Sequence, residues 1–277
     1  MEKYVDLHTH SNISDGSMTP KELVNCAKKS GLAAIALTDH DSVAGVKEAM
    51  DEGKRIGLEV LSGIELSVQS TAETHILGYG IDIDNESLLL KLEDVKKLRA
   101  ERIQKTVERL RELEFDITME DVKKCSGGTI IGRAHIARAM TEKGYTTSIK
   151  EAFDLYLSSG KSAYINMQNL TAEEGIALIN NADGKAFAAH LHLMKKEDNE
   201  LFEYLKYLKS VGLCGIEGYY TDYTEEMQKK YMQMALDLNL EISGGTDFHG
   251  KMKPHITIGV GYGNLKIPYR IFEKLKK

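Results

Sequence analysis

His8 and His10 stand two apart at the end of the first apolar run, so a strand there carries both imidazoles on one face. Asp15 follows in the loop 11–17. Asp39 and His40 close a second apolar run, Glu65 lies just past a third, and His75 opens a fourth. Further along, His190 ends the run 186–189, and Asp247 and His249 repeat the two-residue spacing after another. Singly, each has an ordinary explanation as a core or surface histidine, a helix cap or a turn carboxylate. Jointly, six of the nine histidines and three carboxylates take comparable places at strand ends. In a parallel barrel the residues after the strands gather at one mouth. Imidazole with carboxylate suits zinc, manganese or iron(II), and without cysteine nothing favours a purely structural zinc. Nine ligands exceed the need of one ion, so two or three divalent ions are expected. Three ions against three carboxylates leave a formal charge of about +3, an anion trap suited to phosphate. Clustered ions of this kind activate a water and polarise a phosphoryl oxygen.

Strands and helices must position these groups. The 277 residues are 42% apolar and 28% charged, enough for one large α/β domain or a domain with an insertion. Only 3 prolines and no Gly/Ser tract interrupt them, which argues against flexible linkers. Strands are expected over 4–8, 33–37, 58–63 and 74–79. A helix opens at Thr19-Pro20 with Glu22 and stops near Gly31; Ser42 caps a second that runs to about Ile56. Strands near 185–189, 215–217, 241–243 and 256–260 resume the order, which predicts parallel pairing with helices outside. Seven or eight such strands suggest a closed or distorted barrel. From about 84 to 163 helical signals replace them, as in an inserted helical subdomain.

A net charge of −6 argues against duplex nucleic acid as a partner. The longest apolar stretch, 31–37, is far short of a membrane span, and MEKYVDLHTH lacks a signal-peptide pattern, so a cytoplasmic protein is expected. Cys26, Cys125 and Cys214 are odd in number and far apart. They make neither a disulfide framework nor a zinc knuckle, and suit a reduced compartment.

Cationic residues offer grips for an anion. On a helix over 86–113, Leu88, Leu92, Val95, Ile103, Leu110 and Leu113 form one stripe, with Arg99 and Arg102 inside it. Arginines on an inward face need anions, either a buried acid or a substrate phosphate held bidentately. Gly132, Arg133, Ala134 and His135 follow Gly127-Gly128 and open another helix, whose N–H groups with Arg133 and His135 could hold a second phosphate. Lys161 after Gly160 reads as a solvated loop lysine and not a P-loop. Tyr219, Tyr220 and Tyr223 could stack a base, though core or rim packing is their ordinary role.

The run DLHTHSNISDGSMTPKELVNCAKKSGLAAIALTDHDSVAGVKEA, followed by GIELSV, HILGYGID, GRAHIARAM and GGTDFHG, resembles the polymerase-and-histidinol-phosphatase (PHP) family. Within it the chain is similar to stand-alone phosphoesterases acting on 3′,5′-nucleoside bisphosphates and short 5′-phosphorylated oligonucleotides. The resemblance implies a distorted (β/α)7 barrel, residues 1–83 and 164–277, with a helical insertion, 84–163, covering a trinuclear metal centre. By the same resemblance His8, His10, Glu65 and Asp247 hold one ion. Glu65 bridges to a second with His75 and His190, and Asp15, His40 and His249 hold the third. The family's Ala-His-Pro is replaced by Ala189-His190-Leu191-His192, where His192 shares a face with His190; His190 is favoured because it directly follows the apolar strand. Arg99, Arg102, Arg133 and His135 are then substrate contacts, and His249, Asp247 and His40 carry catalysis.

The expected function is a metal-dependent phosphoesterase releasing, by a metal-activated water, the 3′-phosphate of a nucleoside 3′,5′-bisphosphate. His249 or His192 could protonate the leaving oxygen, or that oxygen could leave coordinated to metal. Alternatives are a 5′→3′ exonuclease on short 5′-phosphorylated oligonucleotides, C–N bond hydrolysis on a related barrel, or a non-catalytic metal-stabilised module.

Overall fold

The computed structural model describes residues 2–70, 72–126, 131–166 and 170–276. Eight strands form one sheet: β1 (Tyr4–Thr9), β2 (Ala34–Leu37), β3 (Glu59–Ser67), β4 (His75–Tyr79), β5 (Lys185–Ala188), β6 (Gly215–Tyr220), β7 (Glu241–Gly245) and β8 (Ile267–Pro268). Their spatial order is β7-β6-β5-β4-β3-β2-β1-β8. Pairs β1–β2, β2–β3, β5–β6 and β6–β7 are parallel. The end of β7 also meets β1: Asp247 N–H donates to the His8 carbonyl and His10 N–H to the Phe248 carbonyl, each at 2.9 Å. The sheet thereby nearly closes into the distorted α/β barrel expected.

Its order departs from the all-parallel expectation at β4, which runs antiparallel to both β3 and β5. The link from Ser67 to His75 is too short for a parallel crossover, which needs a dozen or more residues. That hairpin also lengthens β3 beyond 58–63: Glu65, Leu66 and Ser67 pair with Leu77, Ile76 and His75, so Glu65 lies within the strand. The segment 256–260 is not a strand. Gly259 and Gly261 hold φ of 78° and 58°, values a strand does not adopt. The strand beside β1 is β8, antiparallel, pairing Ile267 with Val5. Ser42 is not a helix cap either; its Oγ accepts the Ala44 N–H, and the helix Val46–Ile56 starts from Gly45.

The first helix, Pro20–Lys29, begins as its sequence dictates, with Thr19 and Glu22 satisfying each other's backbone N–H and proline in the first turn. Leu23, Ile35, Leu37, Ile64, Ile76 and Ile179 join helices to sheet in the largest core cluster. Leu7, Tyr79 and Phe187 pack with Ile271, Phe272 and Leu275 of the last helix in a second. Burying one such side chain stabilises by roughly 1.5–3 kcal/mol. Ile103, Val107, Leu110, Val122, Ile136 and Met140 make a third cluster among the middle helices. The long helix Glu86–Glu112 serves two of these clusters: Leu88, Leu92 and Val95 enter the first, Ile103, Val107 and Leu110 the third. Arg99 and Arg102 sit at the break between them, buried with relative exposures of 9% and 8%.

Candidate metal centre

The strand ends bring the predicted groups together. Ligand atoms of His10, Asp15, His40 and His249 lie within 4.8 Å of one another, as do those of His8, His10 and Glu65, and of His40, Glu65 and His75. Asp247 Oδ1 is 3.3 Å from His10 Nε2 and 3.6 Å from His8 Nε2. His190 Nε2 is 2.9 Å from Glu65 Oε1 and 3.2 Å from His75 Nδ1. Glu65 is central, its two oxygens facing five imidazoles. His192 is not among them; its ring packs 5.5 Å from both Tyr220 and Tyr223. After β5 the backbone turns at His190 (φ 25°) into a 3-10 turn, Leu191–Met194, so the two-residue period of a strand no longer applies.

Among the described residues, the buried atoms His8 Nε2, His10 Nε2, His40 Nδ1, Asp15 Oδ1 and Glu65 Oε2 have no hydrogen-bond partner. A buried polar atom left so costs about 1–3 kcal/mol. Convergent, unpartnered nitrogen and carboxylate atoms fit divalent ions, and that donor set is the one expected of zinc, manganese or iron(II). Electrostatics reinforce it. Burial alone would raise the Glu65 carboxyl, but the rings of His40, His8 and His75 hold it well below the usual carboxylate range. Asp15 and Asp247 are likewise held well down: against burial, His249 and His40 act on the first, Lys253 and His249 on the second. Burial would lower His10, yet the carboxylates of Asp247 and Glu65 beside it raise it to about 9. His40 is pushed well down, mainly by burial.

A pocket of about 590 Å³ opens over the cluster. Asp15, His40, Glu65 and His249 line it, and so do Arg99, Arg102 and Arg133. The arginines differ. Arg99 Nη1 is 2.6 Å from Asp41 Oδ2, a buried acid. Arg133 donates to the Leu157 carbonyl and lies over the rings of Phe153 and Tyr164. The Arg102 side chain makes no hydrogen bond or ion pair among the described residues, its Nε is buried without a partner, and burial with the charges of Arg99 and Arg133 lowers it to about 10. His135 is turned elsewhere: its Nδ1 accepts the Gly132 N–H, and it lines a neighbouring pocket of about 430 Å³. Gly127-Gly128 lies outside the described residues. Tyr220 and Tyr223 are packed with His192 and Tyr231, as core aromatics would be.

A PHP domain model matches residues 6–256. The chain belongs to the PHP domain family. A 5′-3′ exoribonuclease of Haemophilus influenzae is 30% identical over 250 residues, covering 90% of this chain and 91% of that one. A 3′,5′-nucleoside bisphosphate phosphatase of Chromobacterium violaceum is 30% identical over 247 residues, 88% of this chain and 87% of its own. A solved structure from Bifidobacterium adolescentis, assigned as a metal-dependent phosphoesterase, superposes with a TM-score of 0.87 at 31% identity, covering 99% and 95% of the two chains.

Around this PHP cluster stand supporting groups to which the sequence assigned no such role. Asp39 accepts the Ser11 N–H and the Ser11 and Ser14 hydroxyls, pinning the loop that carries Asp15. Asp6 accepts the Thr246 N–H and hydroxyl just before Asp247. Tyr220 and Lys253 both donate to Asp247 Oδ2, at 2.9 and 2.5 Å. Glu217 accepts from His8 Nδ1. Asp39 had one readable signal, its adjacency to His40. Lys253 lies only six residues from Asp247, but Asp6, Glu217 and Tyr220 rest on partners remote in the chain, which spacing does not reveal. Among the described residues, no helix of this PHP chain is long and apolar enough to cross a membrane.

Proposed function

We propose that this metal-dependent phosphoesterase, a PHP hydrolase of phosphate esters, releases the 3′-phosphate of nucleoside 3′,5′-bisphosphates in the cytoplasm. The observation that carries the reading is Arg102, buried and with no side-chain partner among the described residues, lining the same pocket as the metal cluster. A substrate with two phosphates matches that layout, one over the cluster and one at the arginines. In this reading His8, His10, Glu65 and Asp247 would hold one ion, Glu65, His75 and His190 a second, and Asp15, His40 and His249 a third, each manganese, zinc or iron(II). When bound, such ions supply Lewis-acid activation of a water and of the phosphoryl oxygens.

The chain's own residues orient the substrate. Arg102 and Arg133 grip the 5′-phosphate, while Arg99, fixed and largely neutralised by Asp41, lines the same pocket. Lys253 borders the same pocket and can donate to phosphoryl or leaving oxygens, whereas His249 would be committed to an ion and to the Asp247 carbonyl. Residues 84–163 act as a helical insertion covering the site, with the long helix delivering Arg99 and Arg102 and a later one Arg133. A volume of about 590 Å³ falls within the range of about 300–1,000 Å³ for small-molecule sites and suits a single nucleotide. The C. violaceum relative supports this reading.

A second reading, a short 5′-phosphorylated oligonucleotide trimmed from its 5′ end, is favoured by the neighbouring pocket. Ile149, Lys251 and Met252 border both pockets, leaving room for a further nucleotide, and the H. influenzae relative supports it. The test is phosphate release from adenosine 3′,5′-bisphosphate with manganese, with His40→Ala and Arg102→Met alongside. Release by the wild type, abolished in the first variant and weakened through KM in the second, is expected. No release by a manganese-loaded wild type would overturn the bisphosphate assignment.

A further inference from the structure

Glu217, on β6, is fully buried, and no lysine or arginine pairs with it among the described residues. Its carboxylate reaches two strand ends that bear proposed ligands. Oε1 lies 2.9 Å from His8 Nδ1, and Oε2 accepts the backbone N–H of His190 at 2.7 Å. His8 comes from β1 and His190 follows β5, so one side chain ties together groups far apart in the chain. The two contacts do different work. A carboxylate facing Nδ1 keeps a proton on that nitrogen, which leaves the Nε2 lone pair of His8 directed at Glu65 and Asp247. The backbone contact holds His190 at φ 25° and ψ 62°, a conformation that non-glycine residues rarely adopt and that surroundings must enforce. Tyr223 adds to the clamp: its hydroxyl accepts the Leu191 N–H at 2.8 Å and donates to the Glu217 carbonyl at 3.2 Å.

We infer that Glu217 is a positioning residue shared by two metal sites, fixing the tautomer of His8 and the strained backbone of His190 through one buried carboxylate. The inference rests on the metal-centre reading above and is read out by metal affinity, without substrate. Glu217→Gln keeps the size, but one end of the amide becomes a donor, so it serves only one of the two N–H groups. Manganese affinity of the full chain, measured by chelator competition, should fall about tenfold to a hundredfold, while the metal-free variant melts within a few degrees of the wild type. In the zinc-loaded protein, nitrogen NMR should find the His8 Nδ1–H signal of the wild type shifted or exchange-broadened in the variant. Affinity and His8 signal equal to the wild type's would overturn the inference. Should Glu217→Gln fail to fold, Tyr223→Phe leaves the carboxylate intact and loosens only the 190–191 turn; a loss of affinity supports the clamp and an unchanged affinity overturns it. A wild type that binds no manganese or zinc overturns the inference together with the reading beneath it.

Discussion

Arg99 Nη1 stands 2.6 Å from Asp41 Oδ2, whereas the Arg102 side chain, one turn along the same helix, makes no ion pair among the described residues. Removing the two arginines should therefore have opposite effects on stability. Arg99→Met strands a buried carboxylate and should cost about 3 kcal/mol. Arg102→Met removes an unpaired buried charge, and should leave the protein as stable or up to about 1 kcal/mol more so. Its loss should appear in KM for the bisphosphate, tenfold or more, at about 1.5–3 kcal/mol per charged hydrogen bond. Denaturant titration with steady-state kinetics separates the two, and equal destabilisation would contradict the difference in pairing.

Lys253 is the positive partner of Asp247, and about 39% of its side chain is exposed. Without metal, Lys253→Ala leaves Asp247 with less compensation and should cost about 1 kcal/mol, reduced from a buried-pair value by solvent. That corresponds to roughly 2–4 °C in melting temperature. With manganese bound the gap should narrow, because the ion supplies the missing charge. A gap unchanged by metal would argue that Asp247 faces no ion.

Metal binding should release protons. His10 is raised to about 9 and His8 well above its ordinary value, in each case because neighbouring carboxylates outweigh burial. A metal takes neutral imidazole, so below about pH 9 an ion must displace these protons. Affinity should accordingly climb as pH rises from 6 toward 9 and then level. Manganese calorimetry at pH 7 in buffers of different ionisation enthalpy should count about one proton or more released. Zero would mean that the rings are already neutral.

Gly245 leaves space for β1. A Cβ there would stand 2.2 Å from His8 Cβ and 2.4 Å from His8 N, so neither strand could keep its place. Gly245→Ala should destabilise by about 3 kcal/mol or more and weaken manganese binding through His8. Thermal unfolding together with chelator competition would measure both. Normal metal affinity in this variant would show that β1 can shift without moving the ligand.

Much of the centre was legible before any fold was known. A period of two places His8 and His10 on one face, and strand-end positions converge whenever parallel strands close on one another; both follow from local geometry. The same reasoning put Arg99 and Arg102 on an inward helix face, because 100° per residue is a property of the helix alone. Periodicity states which residues share a face but not what that face meets. Only tertiary packing gave Asp41 to Arg99 and no described partner to Arg102, turned β4 antiparallel, and set Glu217 of β6 behind His8 of β1. That His190 and not His192 faces Glu65 and His75 was likewise decided there, since a clamped backbone at positive φ ends the strand period between them. The ligand types were written in the chain. Their partners were decided by contacts between residues more than two hundred positions apart, which no local pattern encodes.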